Sequence, residues 1–177
     1  MRSLRFILGA IIVLAAASGF ADEPAKPTSI KVTGSVTQPG EWTVESIVKE
    51  FAGDVKEITF KTKDGTAKAR VVPLLKLVNH AKPKVDEKAH HPELAFCIVV
   101  KGTDGYAATF SMGELLPEIG AAEVYVGLDR DGKPLPEQQQ PMSLLVVSDK
   151  KGSRHVHGIA TVTVIDAAAT TQNLITK

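Results

Sequence analysis

Cysteine is nearly absent from this 177-residue sequence, since Cys97 is the only one. A single cysteine cannot form an intramolecular disulfide, so the fold has to be held together by its apolar core. An excess of one charge is also lacking, because 21 Lys and Arg residues against 20 Asp and Glu residues give a formal net charge of +1. The two signs are interspersed along the chain, which argues against the clustered positive stripe of a nucleic-acid-binding protein. We therefore expect a globular protein with no nucleic-acid partner.

A long apolar run is lacking as well, because the apolar stretch near the N terminus covers only residues 6–17. Crossing a bilayer as a helix takes about 20 apolar residues, so this stretch is too short for a membrane anchor. Two arginines precede it, and Gly19-Phe20-Ala21 follows it with small residues at the two positions that a signal peptidase reads. This pattern predicts a cleavable signal peptide over residues 1–21. We expect the remaining chain to be periplasmic or secreted, without a membrane attachment.

Hydrophobic periodicity after the signal predicts strands that short helices interrupt. Residues 30–36 alternate apolar and polar side chains, which is typical of a half-buried strand. Thr43 precedes apolar residues at helical spacing, which predicts an N-cap and a short helix. The turn sequence Lys63-Asp64-Gly65 separates two further alternating segments, which indicates a β-hairpin.

Residues 94–100 form a nearly continuous apolar run that predicts a central strand covered on both faces, with Cys97 as a buried core thiol. Another strand is expected to run from residue 155 to residue 165. About eight strands and three short helices result, so we predict a mainly β, α+β domain over residues 30–166. A flexible lead-in over residues 22–29 and a loose tail over residues 167–177 flank it.

Several segments, in their order along the chain, resemble the molybdopterin-binding domain of the sulfite oxidase type. The resemblance covers roughly residues 30–166 and rests on shared order and spacing, because each motif alone is common. The matching segments are VTGSV at 32–36 followed by Pro39-Gly40 and Trp42-Thr43-Val44, VVPLL at 71–75, Asp104-Gly105-Tyr106 with Phe110-Ser111 and Glu114-Leu115, DGKPL at 131–135, and Pro141 before a strand at 142–147. The resemblance implies the fold of that family and positions near its cofactor, which are Thr62, Asp104, Tyr106, Ser143 and Arg154.

The sequence departs from that family at the position of the metal ligand and at that of an arginine in the family pattern. The resemblance implies a cysteine thiolate ligand to molybdenum just after the strand that precedes VVPLL, but Thr62, Lys63 and Asp64 stand there. Threonine and lysine are poor substitutes for thiolate at a soft metal centre. The family pattern also has an arginine after the late proline, where this chain has Met142-Ser143. These departures predict that molybdenum binding is lost and leave no candidate catalytic residue.

Two further groups of residues are candidates for chemistry. His155 and His157 are two apart on a predicted strand, so their side chains share a face and could supply two ligands to zinc or copper. A solvent-facing pair is the alternative interpretation, since nothing nearby in the sequence identifies a third ligand. Basic residues around the predicted hairpin could form a rim for an anionic ligand, or could be an ordinary solvated surface. They are Lys61, Lys63, Lys68 and Arg70.

Three functional hypotheses follow from these observations. The favoured one is an exported binding or interaction module that keeps the molybdopterin-domain architecture without the metal, and that binds a small ligand or an extracytoplasmic protein. The second is a molybdenum-cofactor oxidoreductase with an atypical ligand such as the Thr62 oxygen. The third is a periplasmic metal-binding protein that uses His155 and His157.

Overall fold

The computed structural model describes residues 27–175, with side chains described as far as residue 171. The predicted signal peptide lies outside the described residues. Within them, no helix is both long enough and apolar enough to cross a membrane. The described chain contains nine strands and four α-helices. The strands are β1 (Ile30–Gly34), β2 (Gly40–Trp42), β3 (Lys56–Thr62), β4 (Gly65–Pro73), β5 (Phe96–Gly102), β6 (Ala107–Ser111), β7 (Val124–Gly127), β8 (Ser143–Val146) and β9 (Ile159–Asp166), and the helices are α1 (Val44–Glu50), α2 (Leu74–His80), α3 (Met112–Leu115) and α4 (Ala167–Ile175).

The strands form two sheets that share one apolar core. The five-stranded sheet has the order β2-β1-β9-β5-β6, and the four-stranded sheet has the order β3-β4-β7-β8. Buried side chains from both sheets and from α1 and α2 belong to one cluster, which includes Ile98, Phe110 and Leu144. The mainly β, α+β architecture predicted from the sequence is confirmed.

Local sequence signals account for several of these elements. The Thr43 side chain accepts a hydrogen bond from the Ser46 N–H, and the Ser46 hydroxyl accepts one from the Thr43 N–H. This capping box satisfies free N–H groups at the start of α1, where the sequence predicts a helix. The predicted hairpin also forms, with Thr62 opposite Gly65. Gly65 has a φ of +134°, a conformation that glycine adopts without a steric penalty.

The prediction that β5 is covered on both faces is wrong. Phe96, Ile98 and Val100 are buried, whereas Cys97 and Val99, on the other face, are only half-buried. The strand lies between β9 and β6, so its edges are paired, but only one face of this sheet packs on the shared core. Cys97 is therefore not the fully buried core thiol that the apolar run predicts.

One predicted strand boundary near the C terminus differs from the structure. The last strand begins at Ile159 and not at residue 155, because Gly158 has a left-handed φ of +54° that interrupts the extended chain. Within the segment expected as a loose tail, Ala167–Ile175 form α4. The Asp166 carboxylate accepts a hydrogen bond from the Ala169 N–H at 3.0 Å, which caps the start of this helix.

Candidate functional site

A cleft of about 730 Å³ opens on the outer side of the four-stranded sheet. The tip of the β3–β4 hairpin lines it, together with residues 150–152 of the loop that follows β8. We call it the basic cleft. Its lining residues are Phe60, Lys61, Thr62, Lys63, Asp64, Gly127, Asp129, Arg130, Leu135, Gln139, Ser143, Leu145, Lys150, Lys151, Gly152, His155 and His157.

Positive charge predominates among these lining residues. Five of them are Lys or Arg and two are Asp. One of the two, Asp129, is buried and accepts hydrogen bonds from the backbone N–H and the guanidinium of Arg70. Its charge is thus balanced by a cation that does not line the cleft. The arrangement leaves an excess of positive charge that attracts an anion.

The loop that carries Lys150 and Lys151 is attached to the rest of the molecule through Arg154. This guanidinium donates to both oxygens of Asp149, at 2.8 and 2.6 Å, and to Glu114 Oε1 at 2.8 Å. It also lies over the Phe110 ring, 4.8 Å from the ring centroid. Bidentate pairing of this kind fixes geometry as well as supplying energy. Arg154 therefore links the loop of the basic cleft to α3 and β6.

This pairing makes stability depend on pH. The hydrogen bond from Arg154 is the main cause that lowers the pKa of Asp149 below its ordinary value of 3.8. A carboxyl with a lowered pKa in the folded state stabilises the fold above its unfolded pKa, and this contribution is lost as the pH falls below that value. We expect the variant Asp149→Asn to melt about 2–4 °C below the wild type at pH 7. The difference should shrink as the pH falls from about 4 to 2.5, as followed by circular dichroism; a difference that grows on acidification would contradict this account.

The two predicted histidines both line the basic cleft. They do not belong to a strand; Val156, between them, forms an isolated bridge with Leu144, and this places both side chains on one side as expected. Partial desolvation lowers the pKa of His157, and the nearby charges of His155 and Arg130 lower it further. Among the described residues no group of three or more His, Cys, Asp or Glu side chains is arranged to hold a metal ion.

The structure brings together only part of the predicted set of cofactor positions. Thr62 and Ser143 lie in the basic cleft, whereas Asp104, Tyr106 and Arg154 do not line it. The Asp104 carboxylate accepts from the Tyr106 N–H at 2.9 Å, and the Tyr106 hydroxyl donates to the Ser153 carbonyl. Both residues thus make turn and loop contacts.

Several lining residues were missed at the sequence level. The most important are Lys150 and Lys151, which follow Asp149 in a turn. The Ser111 side chain accepts a hydrogen bond from the Glu114 N–H at the start of α3, and the Glu114 carboxylate pairs with Arg154. The turn-like sequence before His155 is typical of a loop, but it does not reveal that this loop lines the same cleft as the hairpin.

The donor set of the basic cleft does not fit a thiolate-ligated molybdenum centre. No lining residue is Cys or Met. Cys97 lies on β5 in the other sheet and does not line the cleft. Thr62 and Ser143 offer hydroxyl oxygens, and the Ser143 hydroxyl donates to the Gln139 carbonyl at 3.2 Å. Soft metal centres favour sulfur over such hard, neutral oxygen donors.

A second, smaller cavity of about 240 Å³ lies beside β7 and α2. Lys56 and Tyr125 line it, and the Lys56 ammonium donates to the Tyr125 hydroxyl at 2.9 Å. The remaining lining is mostly apolar, and none of the predicted site residues lies there. The basic cleft is therefore the better candidate for function.

Comparison with known proteins finds no match to the sequence among family models or curated proteins, but it finds solved structures with a similar fold. Among solved structures, the chain is similar to the sulfane dehydrogenase SoxCD from Paracoccus pantotrophus, with a TM-score of 0.60 and 17% identity over 80% of this chain. The match covers 39% of that chain, so this protein spans well under half the length of its structural neighbour. At this identity the likeness concerns the fold alone, and the sulfite oxidase-like domain architecture predicted from the sequence is confirmed.

Proposed function

We propose that the protein is an exported binding module that uses the basic cleft to hold an anionic ligand and does not depend on molybdenum. One observation carries the proposal: the cleft combines five Lys and Arg residues with the absence of any sulfur donor. The size supports it, because small-molecule sites in proteins are typically about 300–1,000 Å³. Export is part of the proposal and rests on the signal-like pattern of residues 1–21.

A molybdenum-cofactor oxidoreductase is the second candidate. Two observations favour it: the likeness in fold to SoxCD, and the position of Thr62 in the cleft, where an oxygen ligand would have to stand in for the thiolate. The third candidate is a metal-binding protein, which the presence of His155 and His157 on one side of the cleft favours.

Elemental analysis of the protein purified from the cell that exports it separates these three functions. The binding module predicts neither molybdenum nor, after oxidation, a fluorescent pterin. One molybdenum and one pterin per chain would overturn the proposal in favour of the oxidoreductase. Stoichiometric zinc or copper that is lost in a His155→Ala, His157→Ala double variant would establish the metal-binding function instead.

A further inference from the structure

The floor of the basic cleft is apolar, unlike its rim. Phe60, Leu135 and Leu145 line it, and the two leucines are each 6% exposed. Phe60 and Leu145 belong to a second apolar cluster on the outer face of the four-stranded sheet, separate from the main core. Phe60 is only half-buried, so part of its ring is open to whatever occupies the cleft. Such a floor favours a ligand with an apolar part.

The rim of the basic cleft carries four lysines that form no ion pair with any side chain described by the structure, which covers side chains 27–171. They are Lys61, Lys63, Lys150 and Lys151, whereas Lys68, on the same hairpin, pairs with Glu57 at 2.7 Å. The first two stand at the hairpin tip and the other two on the loop that follows β8, and all four line the same cleft. An anionic group in the cleft would therefore meet positive charge from both segments.

We propose that the ligand of the basic cleft is an organic anion in which an apolar ring and an oxyanion group are neighbours. This inference rests on the proposed function, since it names the class of ligand for the same cleft. The ring lies on Phe60 and Leu145, and the oxyanion group lies between the lysines of the hairpin and of the loop. Both parts fit because the cleft volume of about 730 Å³ is that of a drug-sized ligand.

Two other classes of anion match the cleft less well. An inorganic oxyanion such as phosphate would contact the lysines but would leave the apolar floor exposed to water. An extended polyanion needs a continuous track of positive charge that leads out of the cleft. The lysines on the outer face of the five-stranded sheet do not provide it. Lys31 and Lys101 are separated by Thr161 of β9, and neither lines the cleft. The combination of an apolar floor and a basic rim is what selects a ring-bearing anion.

Isothermal titration calorimetry with three probes tests this inference on the full exported protein. The probes are 1-naphthyl phosphate, inorganic phosphate and the uncharged 1-naphthol. We expect 1-naphthyl phosphate to bind at least about tenfold more tightly than phosphate, because the ring buries apolar area on the floor. It should also bind at least about tenfold more tightly than 1-naphthol, which lacks the charge.

A matched pair of variants locates the ring. Phe60→Ser should remove most of the preference for 1-naphthyl phosphate over phosphate, because the ring then loses its apolar contact on the floor. Ile58→Ser is the control, because Ile58 is half-buried on the same strand and face but does not line the cleft. The control should keep the full preference.

The possible failures are distinguishable. Equal affinity for phosphate and 1-naphthyl phosphate would overturn the ring-bearing ligand and leave the anion-binding function standing. Binding of 1-naphthol as tight as that of 1-naphthyl phosphate would overturn both, as would the absence of binding by all three probes. Loss of the preference in Ile58→Ser as well as in Phe60→Ser would place the ring elsewhere and contradict the assignment.

Discussion

Reversing the charge of Lys150 and Lys151 together should weaken the binding of 1-naphthyl phosphate by about 100-fold. The reason is that both side chains line the basic cleft without an ion-pair partner among the described residues, so their charge is available to the ligand. Each Lys→Glu change replaces an attraction to the anion with a repulsion. The loop itself should keep its place, because Arg154 holds it through Asp149 and Glu114. Calorimetry on Lys150→Glu, Lys151→Glu measures the loss.

The matched control for this variant is Lys31→Glu, Lys101→Glu. It changes the net charge by the same amount at two exposed lysines of the five-stranded sheet, neither of which lines the cleft. Binding in the control should fall by less than about threefold, as expected for distant charges screened by salt. Equal losses in the two double variants would mean that only the overall charge matters, and the cleft would no longer be the binding site.

Replacing Phe110 with alanine should destabilise the protein by about 3–5 kcal/mol. Phe110 is among the largest fully buried side chains, with 1% of its surface exposed. It packs in the shared core from β6, and the Arg154 guanidinium lies over its ring. The substitution leaves a cavity that neighbouring strands cannot fill. Urea denaturation of the wild type and of the variant at pH 7 gives the difference.

Two controls make this result specific. Phe110→Leu keeps most of the volume and should cost less than about 1.5 kcal/mol. Val99→Ala, at a half-buried position on the outer face of β5, should also cost far less than the core truncation. A loss below about 1 kcal/mol in Phe110→Ala would show that the two sheets do not share the core described above.

Secondary-structure elements that depend on contacts between residues close in the sequence could be predicted. Thr43 caps α1 through Ser46, three residues later, and Lys63-Asp64-Gly65 turns the hairpin through contacts within a few positions. Period-2 alternation likewise marked β1. The three-residue strand β2 was missed because so short a segment shows no periodicity, and it depends on pairing with β1 for its extended form.

The candidate site could be predicted only in part, because its two sides are distant in sequence. Thr62 and Ser143 were named through the family resemblance, and the basic residues Lys61 and Lys63 were noted as a possible anion rim. These residues line the same cleft as Lys150 because β3, β4, β7 and β8 are ordered in one sheet, and no local sequence pattern reveals that order. The predicted basic rim also included Lys68 and Arg70, which do not line the cleft: Lys68 pairs with Glu57, and Arg70 with Asp129.

Arg154 illustrates why a position inherited from a resemblance does not establish a role. The family resemblance implied a position beside a cofactor. In the structure its guanidinium is occupied by Asp149, five residues earlier, and by Glu114, 40 residues earlier. It therefore acts on the basic cleft by holding the loop that carries Lys150, and this role follows from partners that the sequence does not pair.

A nuclear magnetic resonance titration of the isotope-labelled protein with 1-naphthyl phosphate tests the anion-binding cleft most directly. We expect the largest, saturable shifts of backbone amides at the hairpin tip, including Lys61 and Lys63, and at the loop that carries Lys150, Lys151 and Gly152. Saturable shifts confined to the five-stranded sheet, or no shift at millimolar probe, would contradict this expectation.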